Sequence, residues 1–229
     1  KGGKNERARP DLNFYGLPVK SDRVLFIIDA SASMKLPTKN ENPAEKWKGP
    51  VTPEDGKAPP PPPEEILSGP KIDVAKHELK KALQRLPETA KFNIVAFNSA
   101  VISWKDKMMT ATPANKQNAL KWVRALQPRG STYIDGALRQ AFRMAGLGAT
   151  DKAYPEVNID TMVLLSDGAP TDDGYPNAKL MDPNVILEHV REWNRQHRIV
   201  IHCIGVDMLP WIEFLKKLAA ENGGKYVDR

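Results

Sequence analysis

RVLFIIDASASM, residues 23–34, changes character at a single position. Val24, Leu25, Phe26, Ile27 and Ile28 form an unbroken apolar run, the pattern of a strand buried on both faces of a parallel sheet. The run stops at Asp29, and Ala30, Ser31, Ala32 and Ser33 follow, small residues around which the backbone turns tightly. In an open α/β sheet, ligands bind beyond the carboxyl ends of the strands, where the strand order reverses. A D-x-S-x-S cluster in that place is an array of hard oxygen donors, and oxygen-only sites select Mg²⁺, Mn²⁺ or Ca²⁺ over softer metals.

Two later stretches extend the cluster. Gly130, Ser131 and Thr132 end a turn ahead of a helical pattern, so Thr132 offers a third hydroxyl. TMVLLS, residues 161–166, is a second buried-strand run, and it ends in Asp167 and Gly168. D-x-S-x-S, then G-S-T, then S-D-G, in that order, resembles the von Willebrand factor A (VWA) family and its metal-ion-dependent adhesion site. The resemblance runs from about residue 17 to the end of the chain.

The resemblance implies a doubly wound, mostly parallel, Rossmann-like sheet of about six strands, with one antiparallel edge strand and helices on both faces. It also implies one divalent cation, Mg²⁺ with Mn²⁺ or Ca²⁺ as alternatives, held by Asp29, Ser31, Ser33, Thr132 and Asp167. A Glu or Asp carboxylate from a partner protein would complete the metal shell. The resemblance further links ligand engagement to movement of the last helix. A Pro-rich segment at 36–70 is the departure from the family pattern.

Working outward, residues 1–16 read as an N-terminal tail or arm and 17–229 as the VWA-like domain. Phe14, Tyr15, Leu17 and Val19 are too apolar for a free tail, so 12–19 is expected to lie against the domain. The segment 35–70 holds half of the chain's prolines, including the run at 59–63, a stiff polyproline II spacer inserted after the first metal-binding loop. Trp47 within it is a large aromatic expected to dock. Apolar periodicity predicts helices at 71–86, 113–126, 133–147, 183–196 and 210–221, with Asp182 as an N-cap. Strands are predicted at 92–97, 101–104, 199–206 and 225–227. The tight turn at Asn98 and Ser99 forces 101–104 to run antiparallel as a sheet edge. Asp135 is read as neutralising a helix N-terminus, and Asp172 and Asp173 as solvated loop residues.

At 229 residues, the chain suits one domain with extra arms. It starts at Lys1, which predicts an excised piece or a processed protein. The formal charge of +6 comes from scattered lysines and arginines without interleaved stacking aromatics, so nucleic acid is not an expected partner. No apolar run approaches the ~20 residues of a membrane span. Cys203, the single cysteine, lies in an apolar run and excludes an internal disulfide. Cys and His do not cluster as zinc would require.

A Mg²⁺-dependent phosphotransferase would also place an Asp after the first strand, but position 31 is Ser where its second Asp belongs. Ser31 and Ser33 lack a G-x-S-x-G turn, and the four histidines show no triad context. The expected function is therefore metal-dependent protein binding in adhesion or assembly, without catalysis, by a domain that is monomeric when isolated. The alternative is a metal-independent interaction module acting through the Pro-rich segment.

Overall fold

The computed structural model describes residues 11–38, 69–146, 159–173, 175–196, 198–207 and 211–229. The tail at 1–10, the Pro-rich run with Trp47 and the connection at 147–158 lie outside the described residues. A hairpin of β1 (Asp11–Phe14) and β2 (Leu17–Lys20) leads into β3 (Arg23–Asp29), the strand that carries the run 24–28. The strands that follow are β4 (Lys91–Phe97), β5 (Val101–Ser103), β6 (Met109–Thr110), β7 (Thr161–Ser166), β8 (Val200–Gly205) and β9 (Tyr226–Asp228). Helices α1 (Lys71–Arg85), α2 (Pro113–Arg124), α3 (Ile134–Met144), α4 (Pro183–Asn194) and α5 (Ile212–Glu221) connect them. Asp182 caps α4 by accepting from the Asn184 N–H, as its place before Pro183 predicts.

The main sheet runs β5-β4-β3-β7-β8-β9, with β6 also on β4. Parallel pairing joins β4, β3, β7, β8 and β9, and β5 and β6 are antiparallel. Six strands lie side by side, as expected, but the edge position is shared by two short pieces, which makes seven. Asn93 divides that edge. Its amide donates to the Lys105 and Lys107 carbonyls at 2.8 and 2.9 Å, which pulls 105–107 off the ladder before pairing resumes at Met109.

Both faces of the sheet are covered, which is why β3 is apolar from Val24 to Ile28. Val24, Phe26 and Ile28 face one core with α1, α2 and the hairpin. Leu25 and Ile27 face the other with α3, α4 and α5. Phe14, Tyr15, Leu17 and Val19 are buried in the first core, and the Arg229 guanidinium donates to the Tyr15 carbonyl. The turn at Tyr15 and Gly16 lies where arm and domain were expected to divide, and β1 and β2 pair across it. Among the described residues, no helix is long and apolar enough to cross a membrane.

The segment after the first loop is tied at its base. Pro37 bridges Pro70, the Thr38 N–H donates to the Gly69 carbonyl at 2.9 Å, and the Lys71 N–H donates to the Leu36 carbonyl at 2.9 Å. The chain thus leaves and returns at the start of α1, directly beside the loop that follows β3.

Candidate metal centre

Strand order reverses between β3 and β7, since the chain passes from β3 to β4 on one side and later returns to β7 on the other. The register pairs Ile28 with Leu165, so Asp29 and Ser166 leave the sheet at the same level. The Ser166 hydroxyl donates to Asp29 Oδ2 at 2.6 Å. The Ser31 N–H donates to Asp29 Oδ1 at 2.7 Å. Asp29 is wholly buried, with both oxygens held, on the loop that opens into a short 3-10 turn at Ala32–Lys35.

Backbone hydrogen bonds lace the loops together. Ala30 N–H donates to Phe97 O at 2.7 Å, Arg129 N–H to Ala30 O at 2.9 Å, and Ala32 N–H to Gly130 O at 3.1 Å. Thr132 N–H donates to Thr171 Oγ1 at 3.0 Å, and Thr171 N–H donates back to Thr132 O at 3.0 Å. The loops after β3, before α3 and after β7 therefore form one continuous floor.

On this floor, four of the five sequence-identified residues are linked side chain to side chain or backbone to side chain. Ser31 Oγ and Ser33 Oγ share a hydrogen bond of 3.0 Å, and Ser33 Oγ donates to Asp167 Oδ1 at 2.7 Å. Thr132 joins them through Gly168. A Cβ on that glycine would stand 3.0 Å from Thr132 Oγ1 and 3.6 Å from Ser33 Oγ. Thr132 and Asp167 are both buried.

Two carboxylates and three hydroxyls converge here, a set of hard oxygens that fits Mg²⁺, Mn²⁺ or Ca²⁺. Among the described residues, no three His, Cys, Asp or Glu side chains gather into a metal-holding group, so most of the donors are neutral hydroxyls. Burial, and then the charge of Asp167, push the Asp29 carboxyl up to about 6. A buried carboxyl beside another negative charge is disfavoured from ionising, and a bound cation would relieve that penalty.

Sequence reasoning missed two contributors. Ser166 orients Asp29, and the signal for it was a hydroxyl ending an otherwise apolar strand. Lys71, on the first residue of α1, donates to Asp167 Oδ2 at 3.0 Å. A lysine where the helix dipole disfavours cations was the available clue. Asp135 accepts from or shares a proton with His189 Nδ1 at 2.8 Å, tying α3 to α4, and it lies 3.7 Å from Arg139. Asp172 Oδ1 accepts from the Lys179 N–H within its own loop.

The chain is 27% identical over 209 residues to inter-alpha-trypsin inhibitor heavy chain 4 of Mus musculus, an alignment covering 91% of this chain and 18% of that protein. The chain thus spans less than a fifth of this relative's length. In structure, it resembles a von Willebrand factor type A protein from Catenulispora acidiphila with a TM-score of 0.61 and 18% identity, covering 99% of this chain and 47% of that one. It also resembles proximal thread matrix protein 1 of the mussel byssus, described with a zinc-occupied MIDAS motif. There the TM-score is 0.53 with 18% identity, covering 92% of this chain and 43% of that one. The profile described as von Willebrand factor type A domain matches residues 64–228. With a match over more than half of its length, the chain belongs to the von Willebrand factor type A domain family.

Proposed function

We propose that this domain binds a protein partner through a divalent cation, Mg²⁺ in the first instance, held by Asp29, Ser31, Ser33, Thr132 and Asp167. The observation that carries the reading is the convergence of these oxygens on one hydrogen-bonded floor beyond β3 and β7. A bound ion supplies an electrophilic position for an outside carboxylate. Asp29 and Asp167 offset its charge, and the three hydroxyls donate without neutralising it further. An acidic side chain of the partner, Glu or Asp, is the ligand this leaves room for. The zinc-occupied MIDAS motif of the mussel protein supports the view that such a motif holds a divalent cation.

The chemistry supports binding over catalysis. Asp29 as a nucleophile would have to attack from a fully buried position with both oxygens already accepting hydrogen bonds. The Ser31 and Ser33 hydroxyls bond to each other, and that of Ser33 to Asp167, with no histidine among these partners.

Calorimetric titration of Mg²⁺ into the EDTA-stripped domain, paired with thermal unfolding, tests this reading. Ligand at about 100 times its Kd stabilises by about 2.7 kcal/mol. In a domain of this size, that raises the melting temperature by roughly 5–10 °C. Thr132→Ala is expected to lose most of that rise while keeping the fold. A wild-type domain whose melting temperature is the same in EDTA, Mg²⁺, Mn²⁺ and Ca²⁺ would refute the metal-binding function.

Proton competition gives a second prediction. Metal binding needs ionised carboxylates. Asp29 is pushed up to about 6, so Mg²⁺ affinity should be level above pH 7 and fall as pH drops through 6. The fall should approach about tenfold per pH unit below that point, as for one proton displaced. Titrations at pH 5, 6, 7 and 8 check it, and an affinity flat from 5 to 8 would contradict it.

A further inference from the structure

Lys71 is a buried lysine with 6% exposure, beneath the candidate metal centre. Its ammonium lies 3.0 Å from Asp167 Oδ2 and 3.7 Å from Asp207 Oδ2. Asp167 keeps its other oxygen on Ser33. Asp207 lies two residues beyond the end of β8, and its N–H donates to the Arg229 carbonyl at 2.7 Å, so its backbone is held. Burying an ammonium costs several kcal/mol unless carboxylates surround it. The positive end of the α1 dipole opposes it as well. A residue with those two penalties, placed against a metal-ligand carboxylate, acts on the charge of the site.

We propose that Lys71 is the internal counter-cation of the metal centre, competing with the divalent ion for Asp167 and giving way toward Asp207 when the site loads. This rests on the metal-binding reading above. The charge count shows what such a lysine does. Asp29, Asp167 and Asp207 contribute three negative charges, which a divalent ion and the Lys71 ammonium together balance. Without Lys71, the loaded site keeps a negative charge that holds the metal more tightly and repels an incoming carboxylate. Lys71 thus lowers metal affinity and reserves the ion's electrophilic character for an acidic partner.

The test is calorimetric titration of Mg²⁺, repeated with Mn²⁺, into the EDTA-stripped protein and its variants, each shown to be folded by near-ultraviolet circular dichroism. Lys71→Met should bind Mg²⁺ about tenfold more tightly than wild type, because a fixed like charge has been removed from the shared carboxylate. Lys71→Arg, which keeps the charge, should stay within about threefold of wild type. Asp207→Asn takes away the second negative charge and should weaken binding by about threefold or more, since the ammonium then has only the charge of Asp167 to balance it. A merely structural role for the ion pair lowers affinity in both neutralising variants, so the opposite signs are the diagnostic. If Lys71→Met does not fold, Lys71→Gln takes its place and Asp207→Asn still reads the effect. Folded Lys71→Met or Lys71→Gln with unchanged or weaker affinity overturns the proposal while wild-type binding, lost in Asp29→Asn, upholds the metal centre. No binding of either ion by any variant overturns the metal reading, and this proposal with it.

Discussion

Asp29→Asn is expected to leave the domain folded, to raise its melting temperature in EDTA at pH 7, and to erase the further rise that Mg²⁺ gives. The first two effects follow from where the carboxylate sits. Burial and the neighbouring Asp167 charge hold the Asp29 carboxyl up at about 6, above the ordinary 3.8. Folding therefore takes up a proton between these values. The stability that this group lends is full below about pH 4 and is lost as pH rises through 6. At pH 7 the ionised group costs the metal-stripped fold about 1–3 kcal/mol, and the neutral amide avoids that cost. The asparagine also keeps the local bonds, since its Oδ1 accepts from the Ser31 N–H and its Nδ2 donates to Ser166 Oγ.

The third effect comes from the same exchange seen from the cation's side. Removing one of two carboxylates leaves three hydroxyls and Asp167, already bonded to Ser33 and Lys71, as the donor set. Mg²⁺ affinity is expected to fall by at least about a hundredfold, given the hard-cation preference for charged oxygen. Scanning calorimetry of both proteins at pH 5 and 7, in EDTA and in Mg²⁺, reads all three effects. Equal Mg²⁺ stabilisation of variant and wild type would remove Asp29 from the site. A variant less stable than wild type in EDTA would mean that its hydrogen bonds outweigh its charge.

The candidate site was legible because its two carboxylates sit where strands end. An apolar run that stops at a carboxylate marks both the strand and the place where it leaves the sheet, so Asp29 and Asp167 could be located before any pairing was known. Lys71 and Ser166 were not legible in the same way. Their roles depend on the register of β3 against β7 and on where α1 begins, and neither the spacing of apolar residues nor a five-residue motif encodes a distance between segments 96 residues apart.

The fold was legible to the same extent and for the same reason. Strands buried on both faces are continuous apolar runs, and the five helices carry one apolar stripe each, so their ends fall within a few residues of the expected positions. Two features escaped. β6 has only Met109 and Thr110, too short for any periodicity. The hairpin has four residues in each strand with Pro18 in the second, and it shows as a hairpin only by pairing Asp11 to Lys20 and Phe14 to Leu17. The apolar excess at Phe14, Tyr15, Leu17 and Val19 told that the segment is buried, but not the shape in which it is buried.

That hairpin carries the second large effect. Phe14→Ala is expected to destabilise the domain by about 3–5 kcal/mol, the usual cost of emptying a fully buried aromatic site. Phe14 is 0% exposed, and its ring meets Tyr15 edge-on at 5.2 Å and Phe26 at 5.4 Å, so it joins the hairpin to the central strand of the sheet. A two-stranded hairpin is marginal alone. With its anchor gone, the hairpin keeps, among the described side chains, Tyr15, Leu17 and Val19 and the Arg229 bond to the Tyr15 carbonyl, and the face of α1 packed on β1 is loosened. The melting temperature should fall by roughly 10 °C or more, equally in EDTA and in Mg²⁺, because no metal-site residue is touched. Tyr15→Phe is the control. It removes a buried hydroxyl that has no hydrogen-bond partner among the described residues, so it should be neutral or stabilising. Chemical denaturation followed by tryptophan fluorescence measures both. A loss below about 1 kcal/mol for Phe14→Ala would mean that the hairpin opens on its own, and that the cooperative unit starts at β3.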